Sequence, residues 1–182
     1  MPRPLRIQAA GLYHVMTRGN AGDPVFAFAP DRDLFLELVG RAVATYEWRC
    51  QAYCVLTNHY HLLLAVPEAS LSRGMQWLNG TYARLHNLRH GSEDHVFGKR
   101  FHSVAIEGQG HLLEVVRYVA RNPVRAGLCD RPRDWHWSSF AAVAGLAREP
   151  RYLAADDVLG LFGQRREQAR RRFLDFVDDV DA

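Results

Sequence analysis

The chain has 182 residues, 48% of them hydrophobic and 24% charged, with 23 basic and 20 acidic side chains for a net charge of +3. That length fits one domain with at most a small appendage, and the composition excludes a disordered, collagenous or coiled-coil chain. No apolar run approaches the ~18 residues of a membrane helix, the N-terminal MPRPLRIQAAG lacks the apolar stretch of a signal peptide, and Cys50, Cys54 and Cys129 have neither zinc-ribbon nor disulfide-framework spacing, so a cytoplasmic protein without a membrane partner is expected.

In chain order, Gly11 to Arg18 alternates as a strand does, and the run Gly19 to Pro24 breaks it. Asp31 reads as an N-cap for a helix that carries Leu34, Phe35, Leu38, Val39, Ala42 and Val43 at helical spacing to about Tyr46. Trp48 to Leu56 and His59 to Val66 read as two strands of a hairpin, joined at Thr57-Asn58 and closed by Pro67. Ser70 then caps a long helix to about Arg89, with Leu71, Met75, Leu78, Tyr82, Leu85 and Leu88 on one side. Val96 to Glu107 includes a further strand, and a third helix starts near His111. That helix should stop at Asn122-Pro123, because a residue before proline avoids the helical region. Trp135 to Val143 suits a short helix, and 155–178 one or two more. The order β-α-β-β-α-β-α predicts an α+β fold, a two-layer sandwich with a central antiparallel sheet backed by helices, plus a C-terminal helical extension. The expected division is a catalytic domain over 1–144 and an extension over 145–182.

Two short patterns carry chemistry. In Asn58-His59-Tyr60-His61 the two histidines open a strand. Residues two apart in a strand face the same side with Cα atoms about 6–7 Å apart, which lets both imidazoles converge on one ion while Tyr60 turns to the layer beneath. A pair of histidines is also common without any metal. In Arg117-Tyr118-Val119-Ala120-Arg121-Asn122, the spacing of four places Tyr118 and Asn122 on one helical face, with Arg117 and Arg121 beside them and Arg125 beyond. Read locally, a half-buried tyrosine and an asparagine closing a helix before proline account for the pair better than a catalytic role does. Taken together, two imidazoles and one amide oxygen make an incomplete ligand set of the kind that serves metal-assisted phosphoryl transfer. Tyr118 would then be the nucleophile that forms a phosphotyrosine. Tyr82, also on a basic helix, is the second choice.

The blocks GLYHVMTRGN, LTNHYHLLLAV, FGKRFHSVAIE, RYVARNPVRAGL and DWHWSS, spread from about residue 11 to 140, resemble the HUH single-tyrosine (Y1) transposases. Within them, the chain resembles the REP-associated tyrosine transposases, relatives of the IS200/IS605 family. The resemblance implies that His59 and His61 are metal ligands, Asn122 the third ligand and Tyr118 the nucleophile. It further implies Mg or Mn as the cofactor, and cleavage of single-stranded DNA beside hairpins of repetitive extragenic palindromes, leaving a 5′-phosphotyrosine and a free 3′-OH. Relatives usually carry proline where Thr57 stands, which puts the rigidity of that turn in question, and the family assigns no role to residues 145–182. Some relatives build one active site from two subunits, so monomer and homodimer both remain open.

Charge distribution points the same way. Residues 71–133 carry ten basic against five acidic side chains, and 22 of the 23 basic residues are arginine, Lys99 being the exception. An arginine-rich genome gives the same excess, but guanidinium also suits phosphate. Arg73, Lys99, Arg100, Phe101, His102, Arg117, Arg121 and Arg125 are the candidate nucleic-acid contacts. His14 is read as core packing near the site, and His86, His90, His95, His111 and His136 as ordinary surface residues. The enzyme has one serious rival, a domesticated transposase that binds hairpin DNA or RNA without cutting it. A zinc hydrolase is disfavoured, since no H-E-x-x-H or nearby third histidine or cysteine accompanies His59 and His61.

Overall fold

The computed structural model describes residues 9–67 and 70–179. Four strands, β1 (Gly11–Arg18), β2 (Arg49–Val55), β3 (His59–Val66) and β4 (His102–Ala105), form one sheet in the order β2-β3-β1-β4, every neighbouring pair antiparallel. Helices α1 (Ala29–Thr45) and α2 (Leu71–His90) pack on one face, and α3 (Gly108–Arg125) lies on the other. The expected α+β architecture is therefore present, with α3 adding a helical cover over the second face. Among the described residues no helix is long and apolar enough to cross a membrane.

Alternation in β3 decides what each face holds. Tyr60 is fully buried against Phe35 on α1, with ring centroids 4.4 Å apart. Its hydroxyl donates to Asn79 Oδ1 at 2.6 Å and lies 2.8 Å from Thr17 Oγ1, so the buried phenol is satisfied. Phe26, Phe35, Leu38, Leu62 and Met75 complete this side of the core, each such side chain contributing about 1.5–3 kcal/mol when fully buried. α2 approaches so closely that a Cβ on Gly74 would sit 2.1 Å from Trp48 Cζ2, and only glycine fits there.

Several local expectations are corrected. Helix α1 begins at Ala29 with Phe28 at its N-cap, and Asp31 lies in the first turn, buried, bonded to Arg89 and His90 rather than to its own backbone. Ser70 precedes α2 without a capping bond, because its buried hydroxyl accepts from Trp48 Nε1 at 2.9 Å and donates to Pro67 O at 3.1 Å. The strand expected over 96–107 shrinks to β4, with Phe97 making one isolated bridge to Gly19 and Gly98 to Arg100 looping between them. Helix α3 runs through Pro123 to Arg125. A proline so near the helix end forfeits a single amide donor, and the last turn still closes through Ala126 N–H to Asn122 O at 2.9 Å.

The C-terminal third covers the free edge of β2. Val55 N–H donates to Trp137 O, Ser139 N–H to Tyr53 O and Ala154 N–H to Cys50 O, at 2.7–2.9 Å, which satisfies backbone groups that an open edge would leave bare. The short helices α4 (Phe140–Val143) and α5 (Ala155–Leu159) follow, and α6 (Arg166–Asp178) buries Ala169, Phe173 and Val177. Arg121 Nη1 donates to Val177 O at 2.7 Å, tying the end of α6 to α3.

Candidate active site

The site is built where β3 begins. The turn before it is held by three backbone bonds, Gly19 N–H to Asn58 O and Phe26 N–H to Thr57 O, both 2.8 Å, and Leu56 N–H to His59 O at 2.9 Å. This bonding does the work that a proline at Thr57 would otherwise do. Gly19 is required, since a Cβ there would meet Asp23 O at 2.4 Å. The Asn58 carboxamide is oriented by Nδ2 donating to Gly22 O at 3.1 Å, which leaves Oδ1 to accept from His59 Nδ1 at 2.7 Å. A carbonyl oxygen only accepts, so His59 carries its proton on Nδ1 and its Nε2 lone pair is available.

His61 is fully buried on the same face as His59, their ring centroids 5.0 Å apart. Its Nε2 lies 3.1 Å from Asn122 Nδ2, and its Nδ1 lies 3.0 Å from His14 Nε2. If the Asn122 amide donates to Nε2, then His61 donates through Nδ1 to His14 and presents a lone pair at Nε2. Rotating the amide by half a turn exchanges its oxygen and nitrogen at no steric cost. Burial holds all three imidazoles toward the neutral form. The pKa of His61 is lowered to about 3 by burial and then by His14 and His59, and that of His14 to about 4 by burial and then by His102 and His111. His59 is lowered too, by burial and by Arg18.

Tyr118 reaches the same spot from α3. Its ring is 5.3 Å from His61 and 5.9 Å from His14, edge-on to each, and 37% of the residue is exposed. The Arg125 guanidinium lies 5.5 Å from the ring centroid, a cation beside a phenol. Asn122, one turn further on, is buried against His61. Tyr82 has a different setting: it is fully buried, and its hydroxyl donates to Val25 O.

The structure brings His59, His61, Tyr118 and Asn122 together and adds His14, which sequence reading set down as packing. The candidate nucleic-acid contacts are divided. Lys99, Arg100 and His102 line a cleft of about 390 Å³ with Arg18 and the Gly19–Gly22 turn, and β1 pairs Arg18 with His59. Phe101 is half-buried against the core. Arg125 lines a second, larger groove of about 880 Å³ with Tyr118, His14, Phe176 and Asp179. Arg117 and Arg121 also line it, but Arg117 stacks on Phe176 at 4.0 Å and Arg121 bonds Val177 O. Arg73 is exposed near the start of α2, beyond the end of β3 distant from His59, and does not join the others.

Comparison with known proteins agrees with the group named by the sequence motifs. A Haemophilus influenzae protein assigned as a REP-associated tyrosine transposase is 26% identical over 106 residues, covering 52% of this chain and 60% of the relative's own length. The solved structure of a REP-associated tyrosine transposase bound to a REP hairpin superposes with a TM-score of 0.66 at 17% identity, covering 85% of this chain and 91% of that one, a likeness that shows a shared fold. The Y1_Tnp family, described as "Transposase IS200 like", matches residues 8–122, a span that holds every residue of the cluster around His61. The chain belongs to the IS200-like transposase family.

Proposed function

We propose that this protein cuts and rejoins single-stranded DNA beside hairpins of the repetitive-palindrome type, through a covalent 5′-phosphotyrosine on Tyr118. The observation that carries this reading is the convergence of a part-exposed phenol, two imidazoles and a carboxamide from separate elements on one point at the His61 edge. A REP hairpin is the ligand of the solved relative that shares this fold. The basic cleft beside His59 is a surface on which such a strand could be held.

A divalent Mg or Mn ion fits the donor set. His59 Nε2, His61 Nε2 and the Asn122 amide would hold it, with His59 Nδ1 bonded to Asn58 and His61 Nδ1 3.0 Å from His14 Nε2. When bound it supplies Lewis-acid polarisation of the scissile phosphate. The chain's own residues do the remainder. The Tyr118 oxygen attacks phosphorus as its phenolic proton leaves, the bond from phosphorus to the 3′ oxygen breaks, and that oxygen departs as a 3′-OH after taking up a proton. Arg125, beside the ring and lining the same groove, is a cation available to a phosphate held there. The ester retains the bond energy, so the reverse attack by a 3′-OH rejoins the strand without ATP.

The test uses labelled single strands containing the palindromes that flank the gene, incubated with the purified protein and Mg or Mn. Metal-dependent cleavage that disappears in the His59→Ala/His61→Ala variant is expected. Unchanged cleavage in that variant would refute the ligand assignment. Tight hairpin binding without cleavage under either ion would show a binding protein that has retired from catalysis.

A further inference from the structure

On the face of the sheet opposite His59 and His61, a second group of potential ligands gathers where the start of α1 meets the end of α2. Asp31 is 1% exposed, and its carboxylate oxygens lie 3.1 and 3.2 Å from His90 Nε2. His86 is one helical turn before His90, their ring centroids 4.3 Å apart. One ligand atom from each of Asp31, His86 and His90 can be chosen so that all three lie within 4.8 Å of one another.

We propose that Asp31, His86 and His90 form a binding site for a divalent transition metal of the Zn²⁺ type, clamping the end of α2 to the start of α1. Three observations carry this. First, the donor set is two imidazoles and one carboxylate, a set that holds zinc or cobalt. Second, His86 Nδ1 is buried and has no hydrogen-bond partner among the described residues. A buried ring nitrogen left unbonded is costly, and a metal bond from Nδ1 itself would offset that cost. Third, the site has a way in, since a cleft of about 160 Å³ lined by Asp23, His86, Asp94 and His95 opens beside it.

Arg89 Nη1 also bonds Asp31 Oδ1, at 3.0 Å. It holds the carboxylate through Oδ1 and leaves Oδ2 without an arginine contact among the described residues, 3.2 Å from His90 Nε2. Without metal, Asp31 pairs with Arg89 and hydrogen-bonds His90 across the two helix ends, with the acid at an N-terminus and Arg89 at a C-terminus, which complements both dipoles. Three protein ligands would leave a fourth position for water.

The test separates this site from the one on β3. Full-length protein stripped with a chelator is titrated calorimetrically with Zn²⁺ alone, and with Co²⁺ while its visible absorption is followed. The His59→Ala/His61→Ala variant is expected to retain one tight Zn²⁺ equivalent, a tetrahedral Co²⁺ spectrum and a rise in Tm with Zn²⁺. Adding His86→Gln should weaken that binding at least about tenfold and abolish the rise. This change leaves the Asp31–Arg89–His90 contacts in place, so the helices are expected to stay docked, which a circular dichroism spectrum checks. Loss of all Zn²⁺ binding in the His59→Ala/His61→Ala variant, or an isotherm unaltered by His86→Gln, would overturn the proposal.

Discussion

Replacing His14 by leucine tests how the site is held. The two side chains are similar in volume, so β1 still packs, but His61 Nδ1 loses its hydrogen-bond partner 3.0 Å away, His14 Nε2. His61 is fully buried, so no water takes the place of the imidazole. Leaving a buried N–H unsatisfied costs about 1–3 kcal/mol. For a chain of this size, each kcal/mol lowers Tm by about 2–4 °C. The functional effect is larger. His61 becomes free to rotate or change tautomer, and loss of such a supporting bond typically weakens metal binding about 10–100-fold. The assay is adduct or cleavage yield against Mn concentration, alongside a melting curve. A rightward shift of about one to two decades in metal requirement, with hairpin affinity unchanged, is expected for His14→Leu. His14→Gln, which retains an acceptor oxygen, should recover part of it. An unchanged metal requirement in His14→Leu would refute the claim that His14 sets the orientation of His61.

Further outcomes follow from the same geometry. Gly74→Ala should destabilise the fold by about 1–3 kcal/mol through overpacking, because the new methyl meets Trp48 at 2.1 Å; a denaturation midpoint equal to wild type would show that α2 shifts freely. The metal-free protein should lose stability on acidification. His14 and His61 have folded-state pKa values lowered to about 4 and about 3, so the unfolded chain binds more protons than the folded one below the ordinary histidine value of 6.5. The sign is therefore a loss of stability as pH falls from about 6.5 toward 4, at up to about 1.4 kcal/mol per pH unit for each histidine, and urea midpoints flat across that range would contradict it. Arg125→Ala should slow adduct formation while leaving the melting temperature nearly unchanged, because the residue is exposed and its contact is with the Tyr118 ring; a wild-type rate in single-turnover cleavage would remove it from the reaction.

What was legible beforehand and what was not divides along physical lines. Period-two alternation in β3 put His59 and His61 on one face and Tyr60 on the other, and helical spacing put Tyr118 and Asn122 on one face of α3, because both are properties of a single element. His14 was read as packing near the site, and its bond to His61 was not foreseen, because that approach depends on the β1–β3 register, in which Met16 stands opposite His61 and His14 lies on the same face one pair further on. The Asp31 cluster escaped for the same reason: a polar residue at a helix start looks like a cap until the neighbouring helix end is placed against it. Pro123 misled because proline ends helices when it falls mid-run, whereas here it sits in a final turn that closes around it. The packing of Phe176 and Val177 on Arg117 and Arg121 joins residues more than fifty positions apart, and no local pattern announces it.

The central claim is that Tyr118 attacks DNA, and adduct mapping tests it most directly. The protein would be incubated with a hairpin-bearing single strand and Mn, denatured, digested with protease and nuclease, and the nucleotide-bearing peptide identified by mass spectrometry. The account predicts a phosphotyrosine-linked nucleotide on Tyr118, absent from Tyr118→Phe, which should still bind the hairpin. An adduct on any other residue, or an undiminished yield from Tyr118→Phe, would contradict it.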